Sequence, residues 1–365
     1  MVHKRAWIAS VIAALLLGAC GSSKAATSGS ASPSSSEAAS PASKWVIVVS
    51  DHDPGDPRSA TLRLLRPDGT VVQTLTVKAG SELLGAAGAR IFVRSGTLLK
   101  AIHQDGSVEE LGDLGGTGRF FASPDGKRWM WGTSDASQSQ VHVAGDGMSP
   151  RVVASSTAQP RAIEPYAWTP VGAFLQDAPV GIGGYILFDS AYGPVKKLDL
   201  TSFSATSVAH TDACSFSDMR GDGTIACLGG SGTNSRTLIL FAPDGKQQTI
   251  QLAMPRFTQD GDAYFSRDGK QVTVAGATAV GANGQPEQYG ADLVTVADAS
   301  ISRLAIDGVR LPSFLRWQSW LDDGSLVVWR PAGAAGGAAG VFIVSPGGTA
   351  TQISQGGFPI GLITG

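Results

Sequence analysis

The sequence predicts an all-β protein, a β-propeller of seven four-stranded blades, on three observations. Charged residues make up only 16% of the chain against 47 glycines, and no long segment shows an apolar period near 3.6, which favours strands over helices. Asp-Gly turns recur in two alternating contexts. One sits between two aromatic or apolar runs, as in Phe120–Trp131 and Tyr264–Val274; the other joins an aliphatic strand to a polar alternating one, as in Leu62–Val72 and Leu238–Lys246. Two hairpin types in alternation are what a four-stranded blade produces, an inner a–b hairpin and an outer c–d hairpin. Finally, a lone apolar strand stands at each end of the repeats, at 44–49 and at 358–363.

The a–b hairpins centre near Gly88, Gly126, Gly172, Gly223, Gly269 and Gly324, with Pro170-Val171-Gly172 replacing the usual turn. The c–d hairpins centre near Gly69, Gly106, Gly147, Gly193, Gly245, Ser300 and Gly347. Six a–b units against seven c–d units leave the first blade short of an inner strand. If Phe358–Ile363 pairs with Trp45–Val49 in that blade, seven blades close with no strand left over and no exposed edge. Six or eight blades also fit, because the Gly193 and Ser300 turns are degenerate. Trp129, Trp131, Trp317, Trp320 and Trp329 fall in a and b strands, as core between blades. Asp125, Asp268 and Asp323 are read as turn formers.

Residues 1–19 read as an export signal, with His3, Lys4 and Arg5 ahead of the apolar run Ala6–Leu17. That run is too short to span a bilayer comfortably. Leu17-Gly18-Ala19-Cys20 resembles the lipobox of bacterial lipoproteins, which implies acylation of Cys20 and anchorage at the outer face of the cell membrane. Residues 20–43 are rich in Ser, Ala, Gly and Pro and cannot bury enough surface to fold. As a flexible tether they reach roughly 25–29 Å. Residues 44–365 form the propeller domain.

Cys214 and Cys227 flank the Asp222-Gly223 turn on one face of a hairpin. In an exported chain that placement predicts a disulfide. The short loop gives it on the order of 3 kcal/mol.

Phe121-Ala122-Ser123-Pro124-Asp125-Gly126-Lys127, followed by an alternating apolar strand, resembles the TolB-like or WD40-like (PD40-type) propeller repeat. Phe265–Val274 carries Arg267 in place of its proline, and Trp320–Trp329 retains only Asp323-Gly324. The resemblance implies a propeller, and repeat families of this kind share architecture without sharing activity. The N-terminal α/β domain of TolB has no counterpart; the tether takes its place.

A net charge of −2 with no basic stripe argues against a nucleic-acid partner. No nucleophile elbow, His-Glu-x-x-His pair, Walker loop or dinucleotide fingerprint is present, so no catalytic residue, metal or cofactor is assigned. His52, His103, His142 and His210 come from different blades. The acidic run Asp51–Asp56 lacks the spacing of an EF-hand and reads as a solvated loop between strands b and c. The expected function is that of a monomeric, membrane-anchored module binding a protein, peptide or glycan. The alternative is a propeller lyase or hydrolase acting in the channel mouth. The b–c and d–a connections are longer and more varied than the turns, so recognition is expected on their rim. Counting back seven or eight residues from the a–b glycines selects Arg119, Glu164, Asp262 and Arg316 as innermost-strand starts at that mouth, suited to a polar or zwitterionic ligand or a peptide.

Overall fold

The computed structural model describes residues 44–52, 58–157, 159–180, 188, 191, 193–229, 237–252, 257–278, 287–312 and 314–365. The signal segment, Cys20 and the tether lie outside the described residues, as do 53–56 of the acidic run and parts of the connections at 253–262 and 276–290.

The described strands form a seven-bladed β-propeller. Phe358–Thr364 is the innermost strand of the first blade, beside Trp45–Ser50, Ala60–Leu65 and Val71–Val77. Its antiparallel register runs from Trp45↔Thr364 to Ser50↔Phe358, so the two ends of the domain are laddered together as expected. The second blade (Ser81–Ala87, Arg90–Ser95, Leu98–His103, Val108–Asp113) joins it through one parallel pair, Gly361↔Ala86. Only glycine permits that approach: at φ +158° a Cβ on Gly361 would lie 2.7 Å from the Ala86 backbone. Blades three to six follow in sequence order, each a four-stranded antiparallel sheet. The seventh sheet has three strands, Leu326–Arg330, Gly340–Val344 and Ala350–Gln355.

Seven apolar clusters fill the seven blade junctions. Met130, Val141 and Val143 of the third blade meet Trp168 and Leu175 of the fourth, for example. Tyr166 and Phe174 of the fourth meet Phe216 and Ile225 of the fifth. Each large apolar side chain buried in this way stabilises by roughly 1.5–3 kcal/mol, which is why blades stack face to face and leave polar d strands outside.

The turns follow their local chemistry. Gly69, Gly106, Gly126, Gly147, Gly223, Gly245, Gly269 and Gly324 all have positive φ. The preceding aspartate commonly accepts from the backbone two residues on, as Asp68 does from Thr70 N (2.8 Å) and Asp323 from Ser325 N (2.9 Å). The Thr70 amide holds the Asp68 carboxyl below the usual carboxylate range. The fourth blade departs from expectation. Its c–d hairpin turns between Val195–Leu198 and Ala205–Ser207, not at Gly193, which precedes the c strand. Asp199 makes this turn by accepting from Thr201 N (2.7 Å) and Ser202 N (2.8 Å), so no glycine marks it.

Cys214 and Cys227 form a disulfide, with Cα atoms 5.6 Å apart. They sit diagonally across the hairpin, since Cys214 pairs with Gly229 and Cys227 with Phe216. Their sulfurs complete the core between the fourth and fifth blades.

Candidate binding cavity

The inner position of the seventh blade shapes the centre of the ring. Among the described residues it is filled by two isolated pairs, Arg310↔Trp329 and Trp320↔Leu326. Between them the chain leaves the sheet and forms a single 3-10 turn, Arg316–Ser319. Pro312 begins the excursion, its carbonyl accepting from Leu315 N (3.0 Å) and Arg316 N (3.3 Å). Trp317, expected in a strand, lies in this turn, and Trp320 sits at the bridge that ends it.

The excursion is fastened to three other blades. Gln318 donates to Ala86 O of the second blade (3.3 Å) and accepts from Leu362 N of the first (3.1 Å). Trp317 Nε1 donates to Trp168 O of the fourth (2.9 Å). Ala86, Leu362 and Trp168 all lie near the turn ends of their inner strands, so Trp317 and Gln318 cross the channel near the turn rim. Arg267, in the a–b turn of the sixth blade, stacks over Trp317 at 5.3 Å and Trp45 at 4.5 Å and donates to Trp320 O.

Above this floor lies a cavity of about 400 Å³. Its walls are the inner strands of the second and third blades, Trp168 of the fourth, and Phe314–Gln318. Aromatic groups dominate them: Phe92, Phe120, Phe121, Trp168, Phe314 and Trp317. The charged lining residues are Glu82, Arg119 and Arg316. Arg94 ion-pairs with Glu82 and also donates to Gly116 O and Thr117 O, both at 3.3 Å. The cavity therefore combines an apolar body with a small number of placed polar groups, the usual constitution of a small-ligand site.

The four residues selected from sequence divide unevenly. Arg119 immediately precedes Phe120–Ala122 and lines the cavity, a third exposed. Glu164 is the fourth residue of Arg161–Thr169, not its start; it lies 3.8 Å from Arg119 Nε and accepts from Gln176. Arg316 lines the cavity but does not start a strand. It is 5% exposed, in the 3-10 turn at φ +45°, with its guanidinium 4.7 Å from the Tyr166 ring and 5.0 Å from that of Phe121. Asp262 lies in the middle of Gln259–Phe265, buried, accepts from Tyr264 Oη (3.1 Å), and is not a lining residue. An inner-strand register shift between Gly261 and Tyr264 re-aims that stretch.

Asp218, which sequence reasoning missed, lies in the inner strand Cys214–Met219, likewise bulged, and accepts from Met219 N (2.8 Å) and Phe265 N (3.0 Å). Burial pushes its carboxyl up to about 7, against the opposing pull of those two amides and of Arg316.

No protein-family model and no curated protein matches the chain. Among solved structures it is similar to the periplasmic gluconolactonase PpgL of Pseudomonas aeruginosa, at 15% identity over 87% of this chain and 98% of that one, with a TM-score of 0.49. It is also similar to TolB from Acinetobacter baumannii, at 16% identity over 70% of this chain and 62% of that one, TM-score 0.42. A puromycin hydrolase matches at 18% identity over 70% of this chain and 42% of that one, TM-score 0.45. The chain thus spans less than two thirds of TolB and less than half of the hydrolase. At these identities the likenesses assign no activity, and the propeller is read from its own strand pairing.

Proposed function

We propose that the chain is an exported, lipid-anchored lipoprotein of the cell envelope whose TolB-like propeller is a non-catalytic binding module. The anchor rests on Leu17-Gly18-Ala19-Cys20 and the tether that follows. The binding role rests on one observation: an aromatic-walled axial cavity of about 400 Å³ floored by Trp317 and Gln318. Glu82 is the one carboxylate among its described lining residues, and Arg94 holds it. That arrangement favours binding over a lyase or hydrolase, which needs an acid and a base free to exchange protons.

Two experiments test the two halves. Cys20→Ala abolishes lipid labelling and releases the protein from membranes or leaves it unprocessed; equal palmitate incorporation in wild type and variant overturns the anchor. For the cavity, Thr117→Trp places a large side chain at an exposed position on the mouth. Native mass spectrometry of protein taken from its own membranes is expected to show an adduct or partner on wild type that the variant lacks. Identical spectra with adducts retained, or no adduct on either, overturn the cavity as the binding site.

A further inference from the structure

The axial well is lined by charged side chains, yet the fold keeps each of them engaged. Glu82 is held by Arg94, which also donates to Gly116 O and Thr117 O. Arg119 lies 3.8 Å from Glu164, and that carboxylate stands outside the well, lining a cleft of about 420 Å³ between the third and fourth blades. Gln176, its partner on the neighbouring strand, donates to the same carboxylate. Arg316 is 5% exposed, with its guanidinium over the rings of Phe121 and Tyr166. Neither arginine is without a partner in the fold. What the well offers an incoming molecule is therefore chiefly the faces and edges of its six aromatic side chains.

We propose, taking the axial cavity as the binding site, that it selects an uncharged compound with a flat ring body, and that Glu82 and Glu164 set this selectivity by balancing the guanidiniums of Arg94 and Arg119. Burying a flat apolar ring against aromatic side chains is favourable without any ionic partner. An ion must shed its water to enter, and only an opposite charge able to turn to it offsets that loss. An anion would compete with Glu164 for Arg119, so it gains little more than the pair loses. A cation is drawn to ring faces in general, but Arg316 already lies over Phe121 and shares the lining with Arg119. A neutral ring meets neither obstacle. Its hydroxyl groups can still donate to Glu82, because a carboxylate paired to one guanidinium keeps further lone pairs.

A displacement series on one ring system tests this. N-phenyl-1-naphthylamine is the fluorescent reporter; naphthalene-1-methanol, naphthalene-1-sulfonate and naphthalene-1-methylammonium are the neutral, anionic and cationic competitors. On the folded full-length protein the reporter is expected to bind one saturable site, which Thr117→Trp abolishes. The alcohol should displace it at concentrations at least about tenfold below either ion, the scale of one charge-assisted hydrogen bond left unreplaced. Glu164→Gln keeps an acceptor for Gln176 and removes only the charge that balances Arg119. In that variant the sulfonate should gain roughly threefold or more, the scale of a partly exposed ion pair, while the alcohol changes less than twofold. Glu82→Gln, acting on Arg94, serves in its place if the first variant misfolds. If Thr117→Trp blocks the reporter but either ion displaces it as well as the alcohol does, selection for a neutral ring is overturned and the cavity stands. If the alcohol leads but the sulfonate gains nothing in the glutamine variant, the balancing role of the carboxylates is overturned. If Thr117→Trp leaves the reporter bound, or wild type does not bind it, the cavity itself is overturned.

Discussion

The first and seventh blades are neighbours in the ring, yet their innermost positions are filled in opposite ways. In the first blade the C-terminal strand pairs with Trp45–Ser50 from one end to the other, with one register shift between Val48 and Val49, and so closes the ring. In the seventh, two isolated pairs bracket a segment that abandons the sheet and enters the channel. Both blades carry the same Asp-Gly hairpin chemistry, at Asp68-Gly69 and Asp323-Gly324. The hairpin motif therefore sets where a strand turns and leaves free what the innermost strand does. Six inner strands that stay in their sheets supply rigidity, and one inner segment that leaves its sheet supplies the floor and part of the wall of the cavity.

Deleting Phe358–Gly365 is the severest way to break the comparison. It removes the inner strand of the first blade, opens the ladder of Trp45–Ser50 and exposes the edge of a buried sheet. The truncated protein is expected to unfold or aggregate. A truncated chain with the wild-type melting temperature would sink the closure of the ring by its two ends. Gln318→Ala is the next largest, because this residue links the two blades. It leaves Leu362 N and Ala86 O without their side-chain partner, at roughly 1–3 kcal/mol for each buried group. Chemical denaturation should show a lower midpoint, and the affinity of the well for an apolar fluorescent dye should fall with it, since its floor is loosened. Unchanged stability would mean that the excursion is not fastened by this side chain.

A third test uses Asp218, which faces the excursion through Arg316. Its carboxyl is raised by burial from 3.8 to about 7. The folded protein therefore holds a proton that the unfolded chain gives up, and this contribution is full below about pH 4. Stability is then lost as pH rises toward 7, at no more than about 1.4 kcal/mol per pH unit. Asp218→Asn removes the dependence, so the stability of wild type relative to the variant should decline between pH 5 and 7. A difference that is flat with pH would show that Asp218 ionises normally in the fold.

The extent to which the chain reveals this arrangement follows from the range of the forces involved. Turns are local: an aspartate that accepts from the residue two ahead and a glycine at positive φ sit side by side in sequence, and the hairpins follow. Where an aspartate makes the turn alone, at Asp199, the glycine signal is missing and Gly193 misleads. Closure was legible because an unpaired apolar strand at each end is costly unless the two meet. Counting from the turns placed Arg119 and Arg316 on one cavity and Glu164 beside Arg119, but it could not register the bulge that sends Asp262 elsewhere. The excursion did leave a trace. Leu311, Pro312, Phe314 and Leu315 are spaced for a helical turn, not for a strand, and a proline stands where an inner strand needs its N–H. The partners of Trp317 and Gln318 lie well over a hundred residues away in two of three cases, and no local pattern encodes them.

The smallest effect gives the sharpest comparison. Asp68→Ala and Asp323→Ala each remove one carboxylate acceptor from an equivalent amide, Thr70 N in the first blade and Ser325 N in the seventh. If the turns are independent of the inner strands, both substitutions cost about 1 kcal/mol and neither changes binding of the apolar fluorescent dye N-phenyl-1-naphthylamine in the well. Thermal melts of the two variants measured side by side, with N-phenyl-1-naphthylamine titrations of each, settle the matter. A loss of binding in Asp323→Ala alone would show that the seventh-blade hairpin also positions the excursion, since Trp320 and Leu326, which flank that turn, end it. Equal small losses of stability with binding intact would leave the excursion held by its own contacts across the ring.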